Sequence, residues 1–298
     1  MREHTYQLFS LEEYQQRLDG LRSRMEQKGV DAVIITRPEN LYYISGYQTP
    51  GYYWFQALIV PMEKEPVFIN RISEASNVGP RTWVEDSRPY NDNDDWILTT
   101  RDALVDLGLG RSRIGVEKRS WFLTVDDFER LSVSVSEATF SDCTGLVEQG
   151  RIIKSPQEID YIRQAALAAD AAMLAGIDAA HVGATENEVA AEIHRAQILA
   201  GSEYTGLPIF ATVAPHCKMV HATWNRNVLE PGNPILFEIP ACINRYHAAM
   251  FRPVFLGDPP DRVIRETEAT ITTLEKVKSY IKPGVKCGEV QAMVQDTI

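Results

Sequence analysis

The chain contains no run of apolar residues near the ~18 that a membrane span requires. Its first residues, MREHTYQLFSLEEYQQ, hold no apolar core and no small-residue cleavage site. A signal peptide is therefore not expected there, and the cytoplasm is the expected location. An excess of positive charge is missing too, since the net charge is −11. Without clustered Lys and Arg there is little to hold phosphates, so neither nucleic acid nor an anionic membrane surface is an expected partner. Cysteine is sparse, and Cys143, Cys217, Cys242 and Cys287 form no C-x-x-C pair. That signals neither a zinc site nor a redox pair and predicts buried free thiols. Also absent are H-E-x-x-H, a Gly-rich phosphate loop, G-x-S-x-G and the Rossmann fingerprint. Zincins, nucleotide enzymes and serine hydrolases are thereby excluded.

What is present is ordinary globular composition, with 44% hydrophobic and 24% charged residues over 298 positions. That length accommodates two cores. Residues 1–150 read as an α/β domain. Ser10 and Glu13 have capping-box spacing, Leu11, Tyr14, Leu18, Leu21 and Met25 recur at helical intervals, and Gly29 ends the run. VDAVIITR at 30–37 reads as a buried strand, with Pro38 and Asn40 in a turn after it. QALIVP and PVFINR bracket MEKE as a hairpin, RIGVEK is a further strand, and 124–131 reads as helix. Strands alternating with helices imply layered α/β architecture. The aromatic run Tyr52, Tyr53, Trp54, Phe55 fits either a packed hairpin edge or a ligand or subunit surface.

Residues 151–298 read as a second domain. Ser155, Pro156 and Glu158 open one Ala-rich helix, and Thr185 with Glu188 opens another. A third helix is expected over 261–282, and a last one runs through VKCGEVQAMVQDTI to Ile298. Between them lie three strand candidates, PIFATVA, NPILFEIPACI and AAMFRPVFLG. His221 stands in KMVHATWNRN, Glu238 in ILFEIPA, and His247 and Arg252 in RYHAAMFRP. Imidazole titrates near neutral pH and a carboxylate can orient it, so His221 and Glu238 are candidates for an acid–base pair. The alternative is that His221 caps a turn and Glu238 pairs with an arginine. No metal is expected. Eight residues separate Glu238 from His247, and the positions after His247 are Ala248, Ala249 and Met250, none a ligand for a hard or borderline cation.

NLYYISGY at 40–47 with ALIVP at 57–61, IKSPQEIDYIRQAA at 153–166 and IKPGVKCGEV at 281–290 together resemble the creatinase, prolidase and aminopeptidase P family. The resemblance covers essentially the whole chain. It implies an N-terminal α/β domain followed by an α+β catalytic domain of the pita-bread fold. Metallopeptidases of that family use two aspartates eleven residues apart on paired strands as metal ligands. Aligned through Arg252, those positions are Glu238 and Ala249, and alanine cannot coordinate. The pattern is similar to the metal-free branch that includes ectoine hydrolase and creatinase, notably in His221-Ala222-Thr223-Trp224, Phe237-Glu238-Ile239 and Arg245-Tyr246-His247. The family's Gly-His motif and its two later glutamates are not found before Ile298, so only the first part of the catalytic domain is expected here.

The resemblance implies hydrolysis of a C–N bond in a small amidine-type substrate, without cofactor. His221 would move the proton and Glu238 would hold the cation or a water. Trp224 would stack on a planar cation. His247 and Arg252 would line the substrate site, and a homodimer partner would close it with Tyr52 and Trp54. A proline-specific metallopeptidase, or a non-catalytic remnant that binds a partner or small molecule, are the other expectations.

Overall fold

The computed structural model describes residues 1–297, which separate into two compact units divided between Gln157 and Glu158. In the first unit, α1 (Leu11–Lys28) starts at Ser10, whose hydroxyl accepts from Glu13 N–H. It stops at Gly29, whose φ of +73° suits a residue without Cβ. A six-stranded sheet follows, ordered β4-β3-β2-β1-β5-β6. Its strands are β1 (Ala32–Ile35), β2 (Ala57–Pro61), β3 (Val67–Arg71), β4 (Asp86–Tyr90), β5 (Arg113–Val116) and β6 (Thr139–Asp142). The β1–β2 and β2–β3 pairs are antiparallel, while β1–β5, β3–β4 and β5–β6 are parallel.

The central strands are buried at every position of AVII and ALIVP, as expected of a sheet covered on both faces. One face, carrying Ile34, Ile59, Ile69, Ile114 and Val116, packs against Ile97, Ala103 and Leu104 of α4 (Trp96–Asp106) and Leu131 of α5 (Val125–Ser134). The short helices α2 (Pro38–Ser45), α3 (Ala75–Arg81) and α6 (Leu146–Arg151) complete the unit.

The expected turn at Pro38 and Asn40 is instead the start of α2. Proline serves well at a helix's first position, where its missing N–H would have no partner anyway. Asn40 is fully buried and its side-chain amide donates to Glu117 at 2.5 Å.

In the second unit, α7 (Pro156–Ala179) and α8 (Glu186–Leu199) pack on one face of a three-stranded antiparallel sheet. The sheet is ordered β7-β8-β9, from β7 (Phe210–Val213), β8 (Pro234–Ile243) and β9 (Tyr246–Phe255). Side chains alternate along a strand. Ile235, Phe237 and Ile239 of β8 are buried with Ala172, Met173, Val189 and Ile193 of the helices and Ala241 with Ala168 and Ala169, whereas Leu236 and Glu238 are only half-buried. Helix approach is close: a Cβ on Gly176 would stand 2.8 Å from Cγ1 of Ile193. The β8–β9 hairpin turns through Asn244 and Arg245, both at positive φ, +48° and +63°, as a two-residue loop of right-handed strand twist demands.

Helices α9 (Asp261–Tyr280) and α10 (Cys287–Gln295) end the described chain. The last helix thus closes at Gln295, short of the expected run to 298, and Ile298 itself lies outside the described residues. The thiols are all free, but only Cys143 and Cys242 are buried. Cys217 is half-buried and Cys287 exposed, so the expectation of four buried thiols is corrected. Among the described residues no helix is long and apolar enough to cross a membrane.

Candidate functional site

The face of the β7-β8-β9 sheet turned away from α7 and α8 is set by register. Glu238 has Phe210 as its Cα partner on β7 and Phe251 on β9. Ala249 is the partner of Pro240, two positions along from Phe251. Glu238, Phe210, Phe251, Ala249 and His247 therefore share one face by strand alternation. Arg252 is the Cα partner of Phe237, which puts it on the other parity. It is exposed, and its guanidinium donates to the carbonyl of Phe251 at 2.8 Å.

His221 is not on a strand. It lies in the loop between β7 and β8, exposed, with φ of +59°. A non-glycine residue held there is uncommon and marks a segment fixed by its surroundings. Its ring lies 6.2 Å from that of Phe210, the strand neighbour of Glu238. Phe210 thus adjoins both candidate acid–base residues, Glu238 by strand pairing and His221 by ring proximity.

The other predicted residues fall as follows. Trp224 is half-buried against the helix core, its ring 5.3 Å from that of His194 on α8 in an edge-on arrangement. His247 accepts at Nε2 from Gly206 N–H, 3.1 Å, which leaves Nδ1–H to donate to the Arg245 carbonyl, also 3.1 Å. Enclosure of the ring lowers its pKa below the ordinary value, partly offset by the Arg245 carbonyl. Although part of the residue reaches solvent, both ring nitrogens are engaged, and the neutral form is the one this geometry accommodates. Glu203 anchors the neighbouring hairpin turn: it accepts from Asn244 N–H at 3.0 Å and pairs with Arg245, whose guanidinium lies 3.7 Å over the Tyr204 ring.

Tyr52 and Trp54 belong to the first unit. Tyr52 sits in a single 3-10 turn, Pro50–Tyr53, capped by Thr49. Thr49 and Tyr47 hydroxyls both donate to Glu74. Trp54 is 43% exposed, and Arg71 already lies 4.0 Å over its ring while holding Asp92 through two bonds. Tyr52 packs edge-on against Phe122 at 5.8 Å.

Three residues of the site escape a reading by residue type. Phe210 and Phe251 become neighbours of Glu238 only through register. Glu186 reads from sequence as one more acidic residue in a helix's first turn, yet it is fully buried. The strand candidate PIFATVA held the signal for Phe210, but not its alignment with β8.

Comparison with known proteins gives this arrangement a context. Residues 17–153 match the Creatinase/Prolidase N-terminal domain, and residues 160–298 match Metallopeptidase family M24. The chain belongs to the creatinase/prolidase family. Within this family it is 26% identical to ectoine hydrolase of Halomonas elongata over 300 residues, covering 95% of this chain and 75% of that enzyme. It is 26% identical to creatinase of Bacillus sp. over 306 residues, covering 97% and 71%. The solved Xaa-Pro dipeptidase from Bacillus anthracis superposes with a TM-score of 0.83 at 20% identity, covering 96% of this chain and 77% of that one. The fold is therefore the family's two-domain, pita-bread architecture, and its relatives point to hydrolytic activity.

Metal ions belong to part of this family, so the donor set matters. On the open face, Glu238 has Ala249, not a carboxylate, as its diagonal neighbour. Among the described residues no group of three or more His, Cys, Asp or Glu side chains is arranged to hold a metal ion. The residues present do not fit a dinuclear centre.

Proposed function

We propose that this creatinase/prolidase-family protein is a metal-independent hydrolase that cuts a C–N bond of a small amidine-type substrate, most like ectoine hydrolase and next like creatinase. The observation that carries the reading is the open face itself. One carboxylate, Glu238, lies between Phe210 and Phe251, beside an alanine, with the His221 ring against Phe210. A lone carboxylate flanked by aromatic faces suits a planar organic cation, through charge and through the negative faces of the rings. Imidazole at the edge supplies a group that gains and loses a proton near neutral pH.

In the proposed reaction Glu238 holds the amidinium or a water beside it. Water adds to the amidine carbon and gives up a proton to His221. His221 then returns that proton to the departing nitrogen as the C–N bond breaks. The carbon keeps the water oxygen and the leaving group departs as an amine. Of the remaining candidates, His247 shares the face of Glu238 and belongs to the proposed substrate site; Arg252, on the opposite parity, and Trp224, packed on His194 of α8, do not. A homodimer, with Tyr52 and Trp54 of the partner closing the site, and a cytoplasmic setting belong to the same proposal.

The experiment is turnover of ectoine and creatine by purified protein, compared with the His221→Asn variant. Hydrolysis lost in the variant supports the reading. Cleavage of Xaa-Pro dipeptides in place of both substrates would replace it with the dipeptidase reading that the fold neighbour suggests. Absence of any turnover would favour a non-catalytic binding role.

A further inference from the structure

The loop that carries His221 has its two ends tied to a single carboxylate. Glu186, the first residue of α8, is 0% exposed. Its Oε1 accepts from Val213 N–H at 2.7 Å, where β7 ends. Its Oε2 accepts from Asn225 N–H, also at 2.7 Å, and from the Asn227 side-chain amide at 3.0 Å. His216 Nδ1, 3.3 Å from Oε1, adds a contact from within the loop. The main chain of Glu186 joins in, its N–H donating to the carbonyl of Asn227 at 3.0 Å. Just beyond, Gly183 N–H donates to Leu229 and Leu229 N–H to Ala184, both at 2.8 Å.

These bonds join partners far apart in sequence and leave the stretch 214–224 between them as a closed loop. A loop whose ends meet at one point loses much of its conformational freedom. His221 rides at positive φ inside that loop, and Trp224 is the residue just before Asn225. A carboxylate suits the task, because both oxygens accept and neither donates, so amide N–H groups arriving from two sides can both be satisfied. Its negative charge also lies at the N-terminal end of α8, where the helix favours an anion.

We propose that Glu186 is the positioning residue of His221: its buried carboxylate clamps both ends of the 213–225 loop and so sets the imidazole against Phe210, the strand neighbour of Glu238. Glu186 touches no reacting group in this account and acts only through the loop. The inference rests on the reading of His221 as the acid–base residue, but the placement of the ring can be tested without turnover.

The test is Glu186→Gln, which keeps the shape but presents an NH2 to one of the amide N–H groups. The first readout is the NMR signal of the His221 ring, with Phe210→Leu as the control that identifies the contribution of the aromatic neighbour. We expect the variant to move the His221 signal toward that of the Phe210→Leu protein. Amide exchange at Val213 and Asn225 should rise by at least about tenfold. Where turnover is measurable, kcat should fall about 10²-fold with KM within about twofold, as misplacement of a catalytic group predicts. Glu186→Asp draws the carboxylate back by one methylene from both backbone N–H groups, so it serves if Glu186→Gln does not fold, with a shift in the same direction. An unchanged His221 signal in a folded variant of either kind overturns the proposal. A shifted signal in a protein without hydrolase activity upholds the clamp and overturns only the catalytic reading.

Discussion

The rings of Phe210 and His221 lie 6.2 Å apart, inclined by 39°, and the backbone of Phe210 pairs with that of Glu238. One aromatic residue thus connects a loop histidine to a strand carboxylate that lies seventeen positions further along the chain. The site depends on that strand register and on the loop closure, and both can be probed separately.

His221 is exposed and stands in the left-handed region, which asparagine tolerates better than most residues. His221→Asn should therefore keep the melting temperature of the parent protein within about a degree or two while abolishing hydrolysis. His221→Ala should abolish hydrolysis as well and cost about 1 kcal/mol more in stability. Thermal melts of both variants beside a turnover assay check this.

The packing of α7 and α8 on the sheet should be intolerant of volume changes. Phe237 is fully buried, so Phe237→Ala should destabilise by about 3–5 kcal/mol. Gly176→Ala would place a Cβ 2.8 Å from Ile193 and should cost about 1–3 kcal/mol through forced repacking. Denaturant titration gives both values, and the second unit's transition is the one that should move.

Lowered basicity of His247 has a definite sign. Burial holds its folded pKa below the ordinary 6.5, with the Arg245 carbonyl and the nearby Glu203 opposing and the Arg245 charge assisting the shift. The unfolded chain then binds more protons than the folded one just below that pH, so stability falls as pH drops below about 6.5 and levels off once the folded pKa is passed. His4 is shifted in the same direction, also chiefly by burial. Replacing His247 by Gln should flatten this part of the stability–pH curve, and replacing His4 as well should flatten it further.

Supplying the missing carboxylate should create what the open face lacks. Ala249→Asp puts a second carboxylate diagonal to Glu238 on the same face. Calorimetric titration with Mn2+ should show no binding at this face in the parent chain and dissociation constants of about 10⁻⁴–10⁻³ M in the variant.

Much of the fold could be read from residue patterns because its elements carry strong local signals. Ser10 with Gly29, and Thr185 with Glu188, mark helix ends through side-chain and backbone chemistry that acts within a turn. The strands AVII and ALIVP are apolar throughout because both sheet faces are covered. By contrast, β4, DSRPY, is polar, holds Pro89 and lies at an edge of the sheet, where neither burial nor a full ladder is required. The helix at Pro38 was hidden because proline and asparagine serve turns and first helical turns equally.

At the site, residue type pointed to His221 and Glu238. The pairing of Phe210 with Glu238, and the gathering of Val213, Asn225 and Asn227 onto Glu186, depend on register and loop closure over 27 to 41 residues, which local pattern does not encode. Trp224 illustrates the same limit. Its aromatic face suggested a stacking platform, whereas tertiary packing sets it edge-on against His194.

The central claim is hydrolysis without a metal, and the most direct measurement is the rate of ectoine cleavage before and after exhaustive treatment with EDTA, with metal content assayed in the same samples. The account predicts equal rates and less than about one-tenth of a metal ion per chain in the active protein. A rate that collapses on chelation and returns with added Mn2+ or Zn2+ would contradict it.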